Sequence, residues 1–206
     1  MNASQKETYD RIFTHFNAYT EYTHDEFKMV WNLTKPFKIK KGGFIYLQGQ
    51  PCTYGGYILE GCTRHYHVDE NMEEHTVGFE FEDYCFGDLR SIFFGTPSPT
   101  TLQVLEHTKL MRMEKSAYLY LVDNCKPFSK MMFLALESRY SRLVDVLIKN
   151  KSEMADHRYL EMLELYPQIL KRVPQRYIAS YLGIQPQSLS RIRRNITARG
   201  EVKAEN

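Results

Sequence analysis

The sequence predicts an α+β chain: an amino-terminal double-stranded β-helix (jelly roll), then one long helix, then a carboxyl-terminal pair of short helices joined at a tight turn. Three observations carry this reading. From Pro36 to about Met113, short Tyr, Phe, Val and Ile segments are broken by Gly42-Gly43, Gly55-Gly56, Gly61, Asp69 to Asn71, Gly78, Gly87 and Gly95. Downstream of Pro127 the positions Phe133, Leu136, Tyr140, Leu143, Leu147, Asn150 and Met154 recur at alternating intervals of three and four. Between Lys171 and Arg199 there are seven basic residues, and no Asp or Glu occurs from Leu165 to Gly200.

Taken in order, Ser4 with Glu7 and Thr23 with Glu26 stand at capping-box spacing, each ahead of an apolar pattern (Ile12, Phe13, Phe16; Phe27, Val30, Trp31), so two short helices open the chain. The glycine-punctuated stretch has turn signals at the short, regular spacing of an antiparallel sandwich or jelly roll, a fold that closes on itself and limits exposed edges. The three-four repeat after Pro127 fits a helix that pairs with a second copy, with Asn150 placed to fix register; a helix lying on its own β-domain would carry similar residues. A hinge is expected around Met154 to Asp156, with Asp156 as a cap for a helix that runs through Leu165 and stops at Pro167. These boundaries divide the chain into a β-roll effector domain (1–126), a dimerisation helix (127–154) and a helical carboxyl-terminal domain (155–206).

The chain has 206 residues, enough for two small domains, and a net charge of only +2. That neutrality hides an asymmetry: residues 155–206 hold nine Lys/Arg against five Asp/Glu, and residues 1–154 hold 18 against 20. A one-sign field in one part of a chain attracts polyanions, whereas an ordinary solvated face mixes signs. The longest uncharged run, Ser91 to Leu105, is 15 residues with two prolines, too short to span a bilayer, and the amino terminus has no apolar signal core; the location expected is cytoplasmic, with no membrane partner. Cys52, Cys62, Cys85 and Cys125 lie at least ten residues apart, without zinc or iron–sulfur spacing, and read as small buried hydrophobes in a reducing compartment. No cofactor is expected.

The two terminal helices have the geometry of a helix-turn-helix. Pro174 opens the first and Gly183 can adopt the left-handed stop conformation that ends it. After Ile184, the second runs from Pro186 to Ile196 with Leu189, Ile192 and Ile196 on one stripe. Gln187, Ser188, Arg191 and Arg194 fall off that stripe, free to meet base edges and phosphates in a major groove.

This order of elements, and above all Val173-Pro-Gln-Arg-Tyr-Ile-Ala-Ser-Tyr-Leu-Gly-Ile-Gln-Pro-Gln-Ser-Leu-Ser-Arg-Ile-Arg194, resembles the cyclic-AMP receptor protein and fumarate–nitrate regulator superfamily of bacterial transcription factors, in the version found in Bacteroidetes-type members. Lys41-Gly42-Gly43-Phe44 through Gly49, Gly56-Tyr-Ile-Leu-Glu-Gly61 and Phe86-Gly87-Asp88-Leu89 add weaker support, the last matching the family's phosphate-binding cassette only at its start. The resemblance implies a homodimeric transcription regulator that is not an enzyme, with duplex DNA as partner. It leaves room for an unidentified small-molecule effector and for contact with RNA polymerase. Base-reading positions would fall on Pro186, Gln187 and Arg191, with Ser188, Ser190 and Arg194 nearer the phosphates. Proline cannot read a base by hydrogen bonding, so specificity is assigned to Gln187, which suits adenine, and Arg191, which suits guanine. Arg176 and Lys171 are expected at phosphates.

The effector pocket implied by the resemblance comprises Gly87, Asp88, Leu89, Arg90, Ser98 and Thr100. Cyclic-nucleotide-binding members pair an acidic residue with a downstream arginine; here the acid is shortened to Asp88 and the arginine's place, Thr96 to Thr101, has no cation. A buried phosphate would lack its counter-charge, so cyclic AMP binding is not expected unless Arg90 supplies it. The aromatics Phe79, Phe81, Tyr84, Phe86, Phe93 and Phe94 read mainly as core, with a pocket for another small molecule as the alternative. A different class of reading is a cupin-like metal-dependent enzyme: His65 and His67 alternate on one strand, followed by Glu70, Glu73 and His75, with His107 as a later ligand. The interval from His67 to either glutamate misses the usual cupin spacing, and no nucleophile–base pair, Walker loop or dinucleotide fingerprint supports catalysis.

Overall fold

The computed structural model describes residues 1–152 and 154–199, and for 149–152 the backbone alone. Two helices open the chain, α1 (Ala3–Asn17) and α2 (His24–Asn32). The second is capped as expected: the Glu26 N–H donates to Thr23 Oγ1 and the Thr23 N–H donates to the Glu26 carboxylate. The first starts upstream of the Ser4–Glu7 box, because Asn2 and Gln5 make the reciprocal pair instead. An asparagine carbonyl caps as well as a serine hydroxyl, and the earlier box captures the helix.

The β-roll contains β1 (Thr34–Ile39), β2 (Phe44–Tyr46), β3 (Tyr54–Glu60), β4 (Thr63–Val68), β5 (Glu74–Glu80), β6 (Cys85–Phe86), β7 (Thr101–Val104) and β8 (Thr108–Glu114). They form two four-stranded sheets, β1-β8-β3-β6 and β2-β7-β4-β5, antiparallel throughout. Pro36 is tolerated because β1 is an edge strand, where a missing N–H costs no ladder bond. Between the sheets lie Ile58, Leu102, Val104 and Leu110, and α1 and α2 close one end through Phe16, which meets Phe27 and Tyr57 edge-on at 5.8 Å. All four cysteines are free; Cys52, Cys62 and Cys125 are buried and Cys85 is half-buried.

Two helices interrupt or follow the strands where the sequence signals only a β region and its end: α3 (Leu89–Phe94) and α4 (Lys115–Asn124). The aromatic run in α3 has strand-like composition, yet the Asp88 carboxylate accepts from the Ser91 N–H and Gly95 closes the turn at φ 71°. Local capping outweighs β propensity there.

The long helix α5 (Lys126–Ser152) buries Phe128 and Met131 in the roll. Phe133, Leu136, Tyr140, Leu143 and Leu147 instead remain between 48% and 68% exposed, so the three-four repeat is not used to pack against the roll of the same chain. The Asn150 side chain, residue 153 just before the expected hinge, and the segment after Arg199 fall outside the described residues. The chain then forms α6 (Ala155–Leu165), α7 (Ile169–Arg172), α8 (Gln175–Leu182) and α9 (Pro186–Ala198). Met154, not Asp156, occupies the N-cap of α6 and makes no side-chain cap; Asp156 lies in the first turn, where its carboxylate accepts from the His157 N–H. Pro174 is the N-cap of α8 rather than its first helical residue, while Pro186 does begin α9. Tyr159, Met162, Ile178, Leu182, Leu189 and Ile196 form the core of these helices, and Cys62, Phe79 and Leu105 of the roll belong to the same apolar cluster.

Candidate functional site

The helix pair α8–α9 is built from local rules. Gly183 sits at φ 66°, and its N–H bonds the carbonyls of Ala179 and Ser180; an L side chain there would be strained. The chain reverses, Pro186 starts α9 without wasting an N–H, and Leu189 and Ile196 are buried with Ile192 packed beside them. That anchoring turns Gln187, Ser190, Arg191 and Arg194 outward to solvent, while Ser188 is half-buried. The Ser190 hydroxyl donates to the Pro186 carbonyl at 3.1 Å, tying it to its own helix. Among the described residues neither Arg191 nor Arg194 has an acidic partner. Lys171 and Arg176 are also exposed, Arg176 lying 4.7 Å from the Tyr177 ring centroid and donating to the Tyr177 hydroxyl.

One cation of the basic segment behaves differently. Arg172 donates through Nη1 and Nη2 to the two Glu82 carboxylate oxygens at 2.7 Å each and also bonds Glu106. Burial pushes the Glu82 carboxyl up, but the bonds from Arg172 and from the Gly61 N–H outweigh it and pull it down to about 2. Nearby, the Thr76 N–H, on the outer edge of β5, donates to Ser180 Oγ at 2.9 Å, and that hydroxyl donates to the Glu74 carbonyl at 3.1 Å. Arg64 completes the contact. It is 1% exposed, bonds Thr76 Oγ1 and Glu74, and stacks between Tyr66 and Tyr177 at 4.3 and 3.8 Å. A guanidinium between two rings and a carboxylate is satisfied when buried, and the α8 face docks on it. Alternating strand composition carries no signal for the docking, because Tyr177 and Ser180 lie on a helix far along the chain.

Several of the residues expected to form an effector pocket are committed to other bonds. The Asp88 carboxylate is spent on the cap of α3, and Arg90 is exposed. Ser98 is buried; its hydroxyl donates to the Thr100 carbonyl and lies 3.4 Å from the Thr100 amide, and Thr100 Oγ1 lies 2.5 Å from His65 Nε2. Gly87 and Leu89 instead line a cavity of about 170 Å³ between α1, β6 and α5, together with Tyr84, Phe86, Arg139 and Arg142. Of the other aromatics, Phe79 is buried against Tyr181 and Tyr166, Phe81 faces Tyr166 at 5.6 Å, and Phe94 is 79% exposed.

The histidines are divided in the same way. His65 also meets Tyr46 Oη at 3.3 Å, and burial lowers its pKa, so it is neutral near pH 7. His67 Nδ1 lies 3.1 Å from the Pro99 carbonyl. Among the described residues the one group compatible with a metal is Asp69, Glu73 and His75, on the β4–β5 turn, and it includes neither His65 nor His67. Asp69 already accepts the N–H groups of Asn71 and Glu73.

Residues 36–125 match the model of the cyclic nucleotide-binding domain family. No curated protein matches the chain by sequence. Solved structures share its fold over nearly the whole length. FixK2 of Bradyrhizobium japonicum is 14% identical, with a TM-score of 0.73 over 84% of this chain and 89% of that one. A crp/fnr-family protein of Eubacterium rectale is 18% identical, with a TM-score of 0.70 over 93% and 91%. The catabolite activator protein of Thermus thermophilus is 17% identical, with a TM-score of 0.54 over 91% and 90%. The β-roll, the long helix and the terminal helices thus share the fold of these solved structures, and among the described residues no helix is long and apolar enough to cross a membrane.

Proposed function

We propose that the chain is a cytoplasmic, non-enzymatic transcription regulator that binds duplex DNA as a homodimer and reads a palindromic operator through α9. The observation that carries the reading is the outward face of α9. Gln187, Arg191 and Arg194 project from a helix locked by Leu189 and Ile196, and no carboxylate pairs with either arginine among the described residues. A rigid helix with unpaired cations and an amide at neighbouring positions suits a major groove. Gln187 and Arg191 are assigned to bases; Ser188, Ser190, Arg194, Arg176 and Lys171 are assigned to phosphates.

The three-part division, 1–126, 127–154 and 155–206, follows from this reading. The exposed row Phe133, Leu136, Tyr140, Leu143 and Leu147 supports a two-fold seam, since a row of large apolar side chains at that spacing is stable when a second helix covers it. Such a dimer doubles the DNA contacts. The nucleotide pocket is degenerate in its cassette, with Asp88 spent on a helix cap and no cation from Thr96 to Thr101, which argues against cyclic AMP as effector. An effector would act through the α5–α6 junction by resetting the separation of the two α9 helices, with RNA polymerase as a further partner on DNA.

The test is a titration of the protein into labelled random-sequence duplex at several salt concentrations. The reading expects affinity that falls steeply with salt, each phosphate contact contributing roughly one unit of slope. Binding that is absent at low salt, or insensitive to salt, refutes it.

A further inference from the structure

The cavity between α1, β6 and α5 has no assigned role, and its chemistry is specific. Its volume is about 170 Å³, and its walls include Phe16, Phe86, Leu89, Met131 and Met132. Asp83, Arg139, His15 and Cys85 also line it, beside the phenols of Tyr19, Tyr84 and Tyr118, and each of the first four is accounted for. Asp83 is paired with Arg11 at 2.7 Å and accepts from the Tyr57 hydroxyl at 2.7 Å. Arg139 faces Glu80 at 3.4 Å and lies 5.1 Å from the Tyr84 ring centroid. His15 is pushed down by burial and is neutral near pH 7. The Cys85 thiol is pushed up to about 12 by burial and stays protonated. Arg142 forms no ion pair with any described residue. The cavity is therefore mainly apolar, and Arg142 brings to its lining a positive charge that has no ion pair among the described residues.

We propose that this cavity receives a small organic monoanion: an apolar body of about one aromatic ring bearing one carboxylate, which Arg142 neutralises. Size and charge both select this class. An apolar cavity of about 150 Å³ accommodates benzene, so the 170 Å³ here suits one ring and is small for a nucleotide. A carboxylate that reaches Arg142 gains charge-assisted bonds from a guanidinium that has no ion-pair partner among the described residues. The site also lies where binding could be relayed. Leu136 belongs both to the cavity wall and to the exposed row of α5, and Arg142 also lines the groove between α5 and α6, where Glu161 and Tyr181 stand. The occupant would thus touch the helix that the proposed function assigns to dimerisation. Binding itself does not depend on that reading.

Calorimetry on the full chain without DNA tests the inference, using benzoate, phenylacetate and hexanoate as probes, their neutral amides as controls, and cyclic AMP in a separate arm. The expected result is one molecule of at least one acid per chain, with its amide about tenfold weaker or worse. Arg142→Gln should weaken the acid by about tenfold or more. Ala135→Phe, which fills the chamber from α5 and leaves every charge in place, should abolish binding. Arg142 is exposed, so its variant should keep the parent melting temperature and remains informative if Ala135→Phe fails to fold. No acid binding at millimolar concentration, equal binding of acid and amide, indifference to Arg142→Gln, or binding that survives in a folded Ala135→Phe variant would each overturn the proposal, as would cyclic AMP binding more tightly than every acid. Because no DNA is present, failure here leaves the regulator reading standing.

Discussion

The basic segment between Lys171 and Arg199 has two faces with opposite fates. On α7 and α8, Arg172 is gripped by Glu82 and Glu106, Ser180 bonds the edge of β5, and Tyr177 covers Arg64. On α9, Arg191 and Arg194 have no carboxylate partner among the described residues. In the sequence Arg172, Arg191 and Arg194 belong to one run without acids. The structure separates a docking contact, where Arg172 is consumed by the roll, from the proposed reading face, where Arg191 and Arg194 remain available. A cation count along a chain therefore overstates the surface offered to a polyanion, because acids supplied by a distant element do not appear in the local run.

Four substitutions sharpen that comparison. The largest effect is expected from Leu189→Ala, since Leu189 is fully buried beneath the reading face: a loss of about 2–5 kcal/mol in denaturant unfolding. A loss within experimental error would mean that α9 is not anchored as described. Arg172→Ala strands two partly buried carboxylates and should cost about 1–3 kcal/mol. It should also speed hydrogen exchange at the Thr76 amide, which Ser180 holds. The same contact has a pH signature. Glu82 is held at about 2, below its ordinary 4.5, so its stabilisation is present above pH 4.5 and drains away as the pH falls toward 2. A protection factor at Thr76, taken against the intrinsic exchange rate at each pH, that stays high across that range, or in Arg172→Ala, contradicts the docking account.

At the exposed cations Arg191 of α9 and Arg176 of α8 the expected stability changes are small and the effects fall on DNA binding. Arg191→Ala should leave folding within about 0.5 kcal/mol and cost about 1–3 kcal/mol at one base position. An unaltered sequence preference would remove Arg191 from base reading. Smallest of all, Arg176→Ala should weaken every sequence alike and lower the salt slope by about 1. A sequence-selective loss, or an unchanged slope, would move Arg176 off the phosphate backbone.

Legibility in the sequence follows the range of the interactions. Thr23 with Glu26, Gly183 and the Leu189–Ile192–Ile196 stripe are encoded within a few residues, and each forms as read. The jelly roll is legible as a pattern of turns, though α3 hides in an aromatic run because its signal is a single cap from Asp88. Asn2 with Gln5 outcompetes Ser4 with Glu7, a choice between two equivalent local signals that composition does not rank. The docking face is illegible for a different reason: Arg64 needs Tyr177 and Arg172 needs Glu82, pairs joined only by tertiary structure. The cavity between α1 and α5 is likewise a product of packing, and its residues carry no shared spacing.

Selection of bound sequences from a random duplex pool tests the central claim most directly. A homodimer that reads DNA through α9 predicts a two-fold symmetric consensus, with half-site centres about one helical turn, 10–10.5 base pairs, apart. Enrichment of no sequence, or of a motif without two-fold symmetry, would contradict it.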